Sequence, residues 1–290
     1  MTNKEHYVPV FYLEWFANSK GKIAVYNSII KKYYMSSPRE ICYTNHLYET
    51  SWVQANEKLG KYVDENSIEK IYQNYEGKFT SLIKIINNVC HNKQNTDALI
   101  LHSDEKRILY SFVANMLVRN PAHMEDLELN NIPDEFKENA TIAATYNLFE
   151  KLDFGSADSI CIAAKKHAML TEEWDNSFGR QLREAIAKLN FTFFYAIEDE
   201  FITSDSPVCI GDDPLIQCEN KTCIFFALTP KVAVLFGNYP RFDEVKNKIV
   251  PIDRRIVNSL NIRLASRKGE NRFLLGRSED LLQRYTSYVE

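Results

Sequence analysis

Chemistry is concentrated in a few stretches of this chain. The first is its opening run, His6-Tyr7-Val8-Pro9-Val10-Phe11-Tyr12-Leu13-Glu14-Trp15-Phe16. An imidazole titrates near neutral pH and carries a proton either way, so a positioned histidine suits general acid-base work. Pro9 steers Val8 away from helix. The segment then reads as extended, with His6, Val8, Val10 and Tyr12 on one face. The plainer reading is a histidine that hydrogen-bonds a backbone carbonyl at the edge of the fold.

Arg119 is the second candidate. It lies seven residues after Phe112 and eleven after Ile108, inside the apolar arc of its own helix. A guanidinium there needs an anionic partner or a bound anion, because burying it unpaired is costly. As a structural residue it would complement the helix dipole and extend to water. The third is Thr203-Ser204-Asp205-Ser206-Pro207, three hydroxyls and a carboxylate at a corner set by Pro207. Asp205 would orient His6, pair with Arg119 or help hold a metal. Alternatively the corner is a turn that satisfies its own backbone. Glu69 and Glu76 are seven apart and share one helix flank. Paired carboxylates suit acid-base work or a divalent metal, though charged flanks are also common. Asn258 and Asn261, with Arg254 and Arg255, could meet an anionic ligand from a late helix, or form a solvated face.

Three zones must position these groups. Residues 1 to about 55 read as β and loop, with Lys22–Tyr26 and Lys32–Met35 as a hairpin. Residues 57 to 190 read as helical. Ile68, Tyr72, Tyr75, Phe79, Leu82, Ile83, Ile86 and Val89 recur every three or four residues, which predicts a long amphipathic helix. A second helix starts after Ser103 as N-cap and ends before Pro121. Further helices are expected over 135–150, 157–169 and 172–189. Residues 191 to 290 carry β-prone runs: 191–197 with 201–203 as its partner strand, then 223–228 with 232–236. A helix at 253–266, a strand at 272–275 and a short last helix follow. The fold class is α+β, as a single domain over 1–290 with antiparallel β at the C-terminal end.

Composition narrows the function. Of 290 residues, 45% are hydrophobic and 26% charged, values of an ordinary globular protein. The 16 Tyr and 17 Phe predict an aromatic core. A net charge of -4 excludes bulk adhesion to DNA or to a membrane. Residues 239–284 nevertheless hold eleven Lys/Arg against six Asp/Glu, so a local basic surface is possible there. The six cysteines form no C-x-x-C pair, and they read as reduced, mostly buried thiols of a cytoplasmic protein. A signal-peptide core and a membrane-spanning apolar run are both missing. The missing Gly-rich phosphate loop, G-x-S-x-G and H-E-x-x-H weigh against P-loop enzymes, nucleotide-cofactor oxidoreductases, serine hydrolases and zincins.

One resemblance is carried by the His-Tyr-Val-Pro start, its continuation to Phe16 and the Lys22–Tyr26 strand. It extends to the Ile68-Glu69 and Tyr75-Glu76 pairs, Arg119-Asn120-Pro121, the Thr203–Pro207 corner and the Leu228-Thr229-Pro230-Lys231 turn. On these motifs the chain resembles the bacterial domain-of-unknown-function family 4238, over about residues 4 to 265. Members often carry a second histidine where this chain has Glu5, and a glutamine where it has Val10. Such scattered polar motifs are what one convergent site would look like.

The first expectation is a bacterial hydrolase, a nuclease or phosphodiesterase in a toxin or phage-defence setting. His6 would be the acid-base, Asp205 its orienter or a metal ligand, and Arg119 the stabiliser of phosphate charge, with Glu76 in reserve. Tyr7, Ser204 and Asn258 would contact the substrate. A divalent metal is the cofactor such carboxylates would take; no nucleotide cofactor is expected. The partners would be RNA or another phosphodiester and a protein regulator, with no membrane. The rival expectation is a non-enzymatic interaction module or small-anion sensor, in which Arg119 and Asp205 form a buried ion pair.

Overall fold

A computed structural model describes residues 4–45, 47–48, 67–92, 101–121, 166, 170–172, 177–212, 222–237, 246–267 and 271–289. The fold is α+β, as the sequence predicts. Strand β1 (Lys4–His6) pairs antiparallel with β4 (Tyr43–Asn45), placing His6 opposite Tyr43. Between them, β2 (Ile23–Asn27) and β3 (Lys32–Ser36) form the expected hairpin. The chain does not stay extended after Pro9. Helix α1 (Val10–Leu13) begins there, and the amides of Tyr12 and Leu13 both donate to the Pro9 carbonyl at 3.1 Å. Proline's fixed φ, here -59°, suits the start of a helix as well as it constrains the residue before it. His6, Val8, Val10 and Tyr12 therefore do not share a strand face.

The long helix is α2 (Ser67–Asn92), and α3 (Ser103–Val118) ends with Arg119 as its C-cap. The N-cap of α3 is His102 rather than Ser103, because Glu105 reaches back to accept the His102 amide at 2.8 Å. Of the later helices expected, the last appears as α4 (Phe178–Ala187). The other two fall almost wholly outside the described residues.

The C-terminal strands divide between two sheets. A five-stranded sheet runs in the order β10-β5-β9-β8-β7, from β5 (Asn190–Ala196), β7 (Val208–Asp212), β8 (Thr222–Ala227), β9 (Val232–Gly237) and β10 (Ile249–Ile252). It is mixed, not wholly antiparallel. The chain leaving β9 reverses but pairs on the far edge of β5, so β10 lies parallel to β5. The second sheet has the order β3-β2-β11-β6, with β6 at Thr203–Ser204 and β11 at Phe273–Gly276. The segment expected to pair with 191–197 thus joins the other sheet, against β11. Helices α5 (Arg254–Ala265) and α6 (Glu279–Gln283) complete the described fold.

The two sheets meet at Tyr12, which is fully buried. Its hydroxyl donates to the Ala227 carbonyl of the five-stranded sheet at 2.7 Å and accepts from Thr203 of the four-stranded sheet at 2.7 Å. Its ring stacks on Phe226 with centroids 5.3 Å apart, and Phe112 of α3 packs edge-on against the Phe226 ring at 5.5 Å. Asn261 of α5 makes a comparable tie, donating to the Glu200 carbonyl (2.9 Å) and accepting the Ile202 amide (3.1 Å). That tie fixes the chain just before the Asp205 corner.

Tyr12→Phe keeps the ring and removes both hydrogen bonds, leaving a buried carbonyl and hydroxyl poorly satisfied. The expected loss is about 1–3 kcal/mol of unfolding free energy, read as a lower urea midpoint.

Candidate functional site

The polar motifs gather around β1 in two adjoining places. The first is the Arg119 cluster. The guanidinium is buried, donating from Nε to the Tyr48 hydroxyl at 3.0 Å and from Nη2 to the His6 carbonyl at 2.8 Å. It lies 3.9 Å from the centre of the Tyr72 ring, and its Nη1 stands 3.7 Å from Glu76 Oε1. Glu5 is buried and accepts the Tyr48 amide at 2.7 Å, which positions the tyrosine that Arg119 uses. Glu69 and Glu76 do flank one site. Burial raises both carboxyls above the usual range, and the nearby Arg119 pulls them back. Glu69 Oε2 is buried with no hydrogen-bond partner.

The second place is a cavity of about 420 Å³ just past β1 in the chain, where Tyr7 enters its lining. Its lining includes Tyr7, Cys42, Asn120, Pro121, Asp205 and Arg272, so three motifs distant in sequence contribute to one wall. Asp205 is 8% exposed, with Oδ1 accepting the Phe273 amide at 3.0 Å and Oδ2 the Arg272 amide at 3.2 Å. Burial pushes its carboxyl up to about 6, and the two amides pull in the opposite direction. Tyr7 and Cys42 share a side-chain hydrogen bond, and burial pushes both well above their ordinary values, so both are neutral at physiological pH.

Cys42 has φ of +54°, a left-handed conformation uncommon for any residue but glycine. The strain is held by its carbonyl, which accepts the Tyr7 amide at 3.0 Å and the Val8 amide at 3.5 Å.

The remaining candidates lie outside the cavity lining. The His6 imidazole Nε2 lies 3.3 Å from the Arg39 carbonyl, and its ring leans on Tyr43. It is not part of the cavity lining. The carbonyl of His6, not its ring, meets Arg119. Ser204 is fully buried, and its hydroxyl accepts the Ser206 amide at 3.1 Å. Asn258 accepts from the Tyr285 hydroxyl at 2.6 Å, packing α5 against the C-terminal turn. Asp205 and Arg119 do not pair with each other; each is occupied by the partners above. Among the described residues, no group of three or more His, Cys, Asp or Glu could hold a metal ion.

The C-terminal basic segment is largely used inside the molecule. Arg267 binds the Ser206 and Val208 carbonyls at 2.7 Å, Arg263 the Gly211 carbonyl at 2.6 Å, and Arg254 and Arg284 both reach Asp199. Exposed Arg272 stands at the cavity instead, with its guanidinium 5.1 Å from the Phe273 ring centre. Arg272 and Cys42 were not singled out by sequence reasoning. The basic bias of residues 239–284 was the signal for Arg272; nothing marked Cys42. A second cavity of about 500 Å³ between α2 and α3 is lined by Tyr75, Lys78, Asp104, Arg107, Ile108 and Ser111, and holds none of the candidates.

The class defined so far is an α+β protein in which a buried carboxylate at the edge of the four-stranded sheet stands beside an arginine-rimmed cavity. The chain belongs to the family described as "Protein of unknown function (DUF4238)", which it matches over residues 4–278. No curated protein and no solved structure matches it. Among the described residues, no helix is long and apolar enough to cross a membrane. Cys42, Cys90 and Cys209 are free and buried, as the sequence predicts, and Cys223 is buried beside Arg263.

Two outcomes follow from the site's electrostatics. Arg119→Met leaves the His6 carbonyl, Tyr48 and Glu76 without their cation and should cost about 3–5 kcal/mol by denaturant unfolding. Arg119→Lys should recover little of it, since an ammonium cannot match the fork or the ring contact. Asp205 titrates higher when folded, so the folded state holds its proton more tightly than the unfolded chain. Its contribution is fully present at pH below about 4 and is lost as pH rises through about 6, by at most about 3 kcal/mol. Melting curves should show that slope in the wild type and lack it in Asp205→Asn.

Proposed function

We propose that this protein is a hydrolase of phosphodiesters whose reacting centre is the Asp205 cavity. The observation that carries the reading is one buried carboxyl, poised near neutral pH, facing a cavity with an arginine at its rim. Asp205 would act as general base. Its carboxylate takes a proton from the attacking water, the oxygen attacks phosphorus, and the ester P–O bond breaks. The proton then passes to the departing alkoxide. Arg272 would hold the phosphate charge, and Tyr7 and Asn120 would position the ester. His6 and Arg119, the first choices on sequence grounds, would build the wall behind Tyr7 rather than touch the substrate. Within this reading the substrate is cellular RNA, and the setting is a cytoplasmic toxin or phage-defence protein with a protein regulator.

A second reading has its own support. Both Asp205 oxygens accept backbone amides, which a purely structural corner or a small-anion sensor would also require. The two separate in one experiment. Purified protein is incubated with RNA, single-stranded DNA and bis(p-nitrophenyl) phosphate, with and without magnesium or manganese, over a pH series. The hydrolase reading expects turnover that rises with pH through about 6 and falls at least about 100-fold in Asp205→Asn and in Arg272→Ala. The absence of turnover of all three substrates, or turnover indifferent to both substitutions, favours the sensor or the brace.

A further inference from the structure

The cavity beside Asp205 has a lining that ester hydrolysis does not call for. Tyr34, Tyr43 and Phe273 face it along with Tyr7. Two of these rings and the carboxylate belong to one face of the four-stranded sheet. Tyr34 pairs with Val25, Val25 with Leu275, and Leu275 with Thr203; Phe273 and Asp205 each lie two residues from their strand's member of that row. Alternation along a strand returns residues i and i+2 to the same side.

Among the described residues, Tyr34 has no partner that explains it. It sits on edge strand β3, 39% exposed, and among the described residues it makes no ring contact and no side-chain hydrogen bond. Its neighbour Tyr33 shows the usual alternative, leaning on Tyr26 at 4.8 Å and bonding the Thr286 hydroxyl at 2.7 Å. A large ring held open at the mouth of a polar cavity is surface kept for a flat ligand. The volume, about 420 Å³, lies in the range that takes one small molecule. Asp205 and Asn120 supply hydrogen-bonding groups for the edge of such a ring, and Arg272 supplies a cation beside Phe273.

We propose that this cavity receives one unpaired nucleobase, laid against Tyr34 and Phe273, with Asp205 at its edge and Arg272 on the attached phosphate. The inference rests on the phosphodiester reading and names its substrate class: a nucleotide that is free or part of a single strand. A duplex hides its base faces in the stack and its edges in pairs, so it offers this cavity nothing.

The test is binding of the full-length chain, measured by anisotropy with a chelator present. The probes are a short mixed-sequence single strand, the same strand as a duplex, an abasic strand of equal length, and free nucleoside monophosphates as competitors. Stacking of a base on an aromatic side chain predicts that the wild type prefers the base-bearing strand over the abasic one by roughly tenfold or more. Tyr34→Ala should erase that preference, and Tyr34→Phe should keep it. Competition by monophosphates alone identifies a free nucleotide as the occupant; tighter binding of the strand identifies a polymer. Equal affinity for base-bearing and abasic strands, or no binding of any probe, overturns the proposal without any variant. Rates distinguish this failure from that of the hydrolase reading. Equal cleavage of both strands keeps the hydrolase and removes the base pocket. Base-dependent binding with no cleavage does the reverse.

Discussion

A buried guanidinium is the constraint on which this arrangement depends. Arg119 is removed from water at the end of α3, so each of its donors must find an acceptor inside the protein. It finds them on three separate pieces of chain: the His6 carbonyl of β1, the Tyr48 hydroxyl beyond β4, and Glu76 of α2. Tyr72 of the same helix lies under its plane. No one of these segments is adjacent to another in sequence. The cost of an unsatisfied cation thus locks β1 against two helices, and the residue that follows β1, Tyr7, lines the cavity.

Tyr12 does for apolar contact what Arg119 does for charge. Its hydroxyl joins the two sheets while its ring enters the aromatic layer with Phe226 and Phe112. The consequence is that the Thr203–Asp205 corner, although short, is held from several directions. Tyr12 holds Thr203, Asn261 holds Ile202, and Arg267 holds the outgoing chain at Ser206 and Val208. A carboxylate can be kept buried at about pKa 6 only if the surrounding backbone cannot relax to let water in.

Local signals in the sequence were legible because they act locally. The 3.6-residue recurrence from Ile68 to Val89 is α2, and the β-branched and aromatic runs are β2, β5, β8 and β9. Three of the motifs do converge in space: Tyr7, Asn120 and Asp205 line one cavity. What the sequence hid was orientation. Residues named for their side chains often act through the backbone, as His6 does with its carbonyl and Ser204 with a turn. Pairing between distant strands was equally hidden. Ile202 and Thr203 follow β5 closely enough to read as its partner, yet β11, some seventy residues further on, claims the second of them. The parallel placement of β10 depends on a crossing that no local residue encodes.

Strand β11 sets an order of events. It lies between β2 and β6, so the four-stranded sheet has a gap in its middle until residues 273–276 arrive. The amides that hold the Asp205 carboxylate belong to Arg272 and Phe273. During vectorial synthesis, the opening hairpin waits through most of translation, and the Asp205 corner through about seventy residues more, with nothing between them. A ribosome-bound chain short of that point has neither a seated Asp205 nor an arginine at the cavity rim. The centre is assembled only after translation has passed β11, a built-in delay for any chemistry the cavity performs.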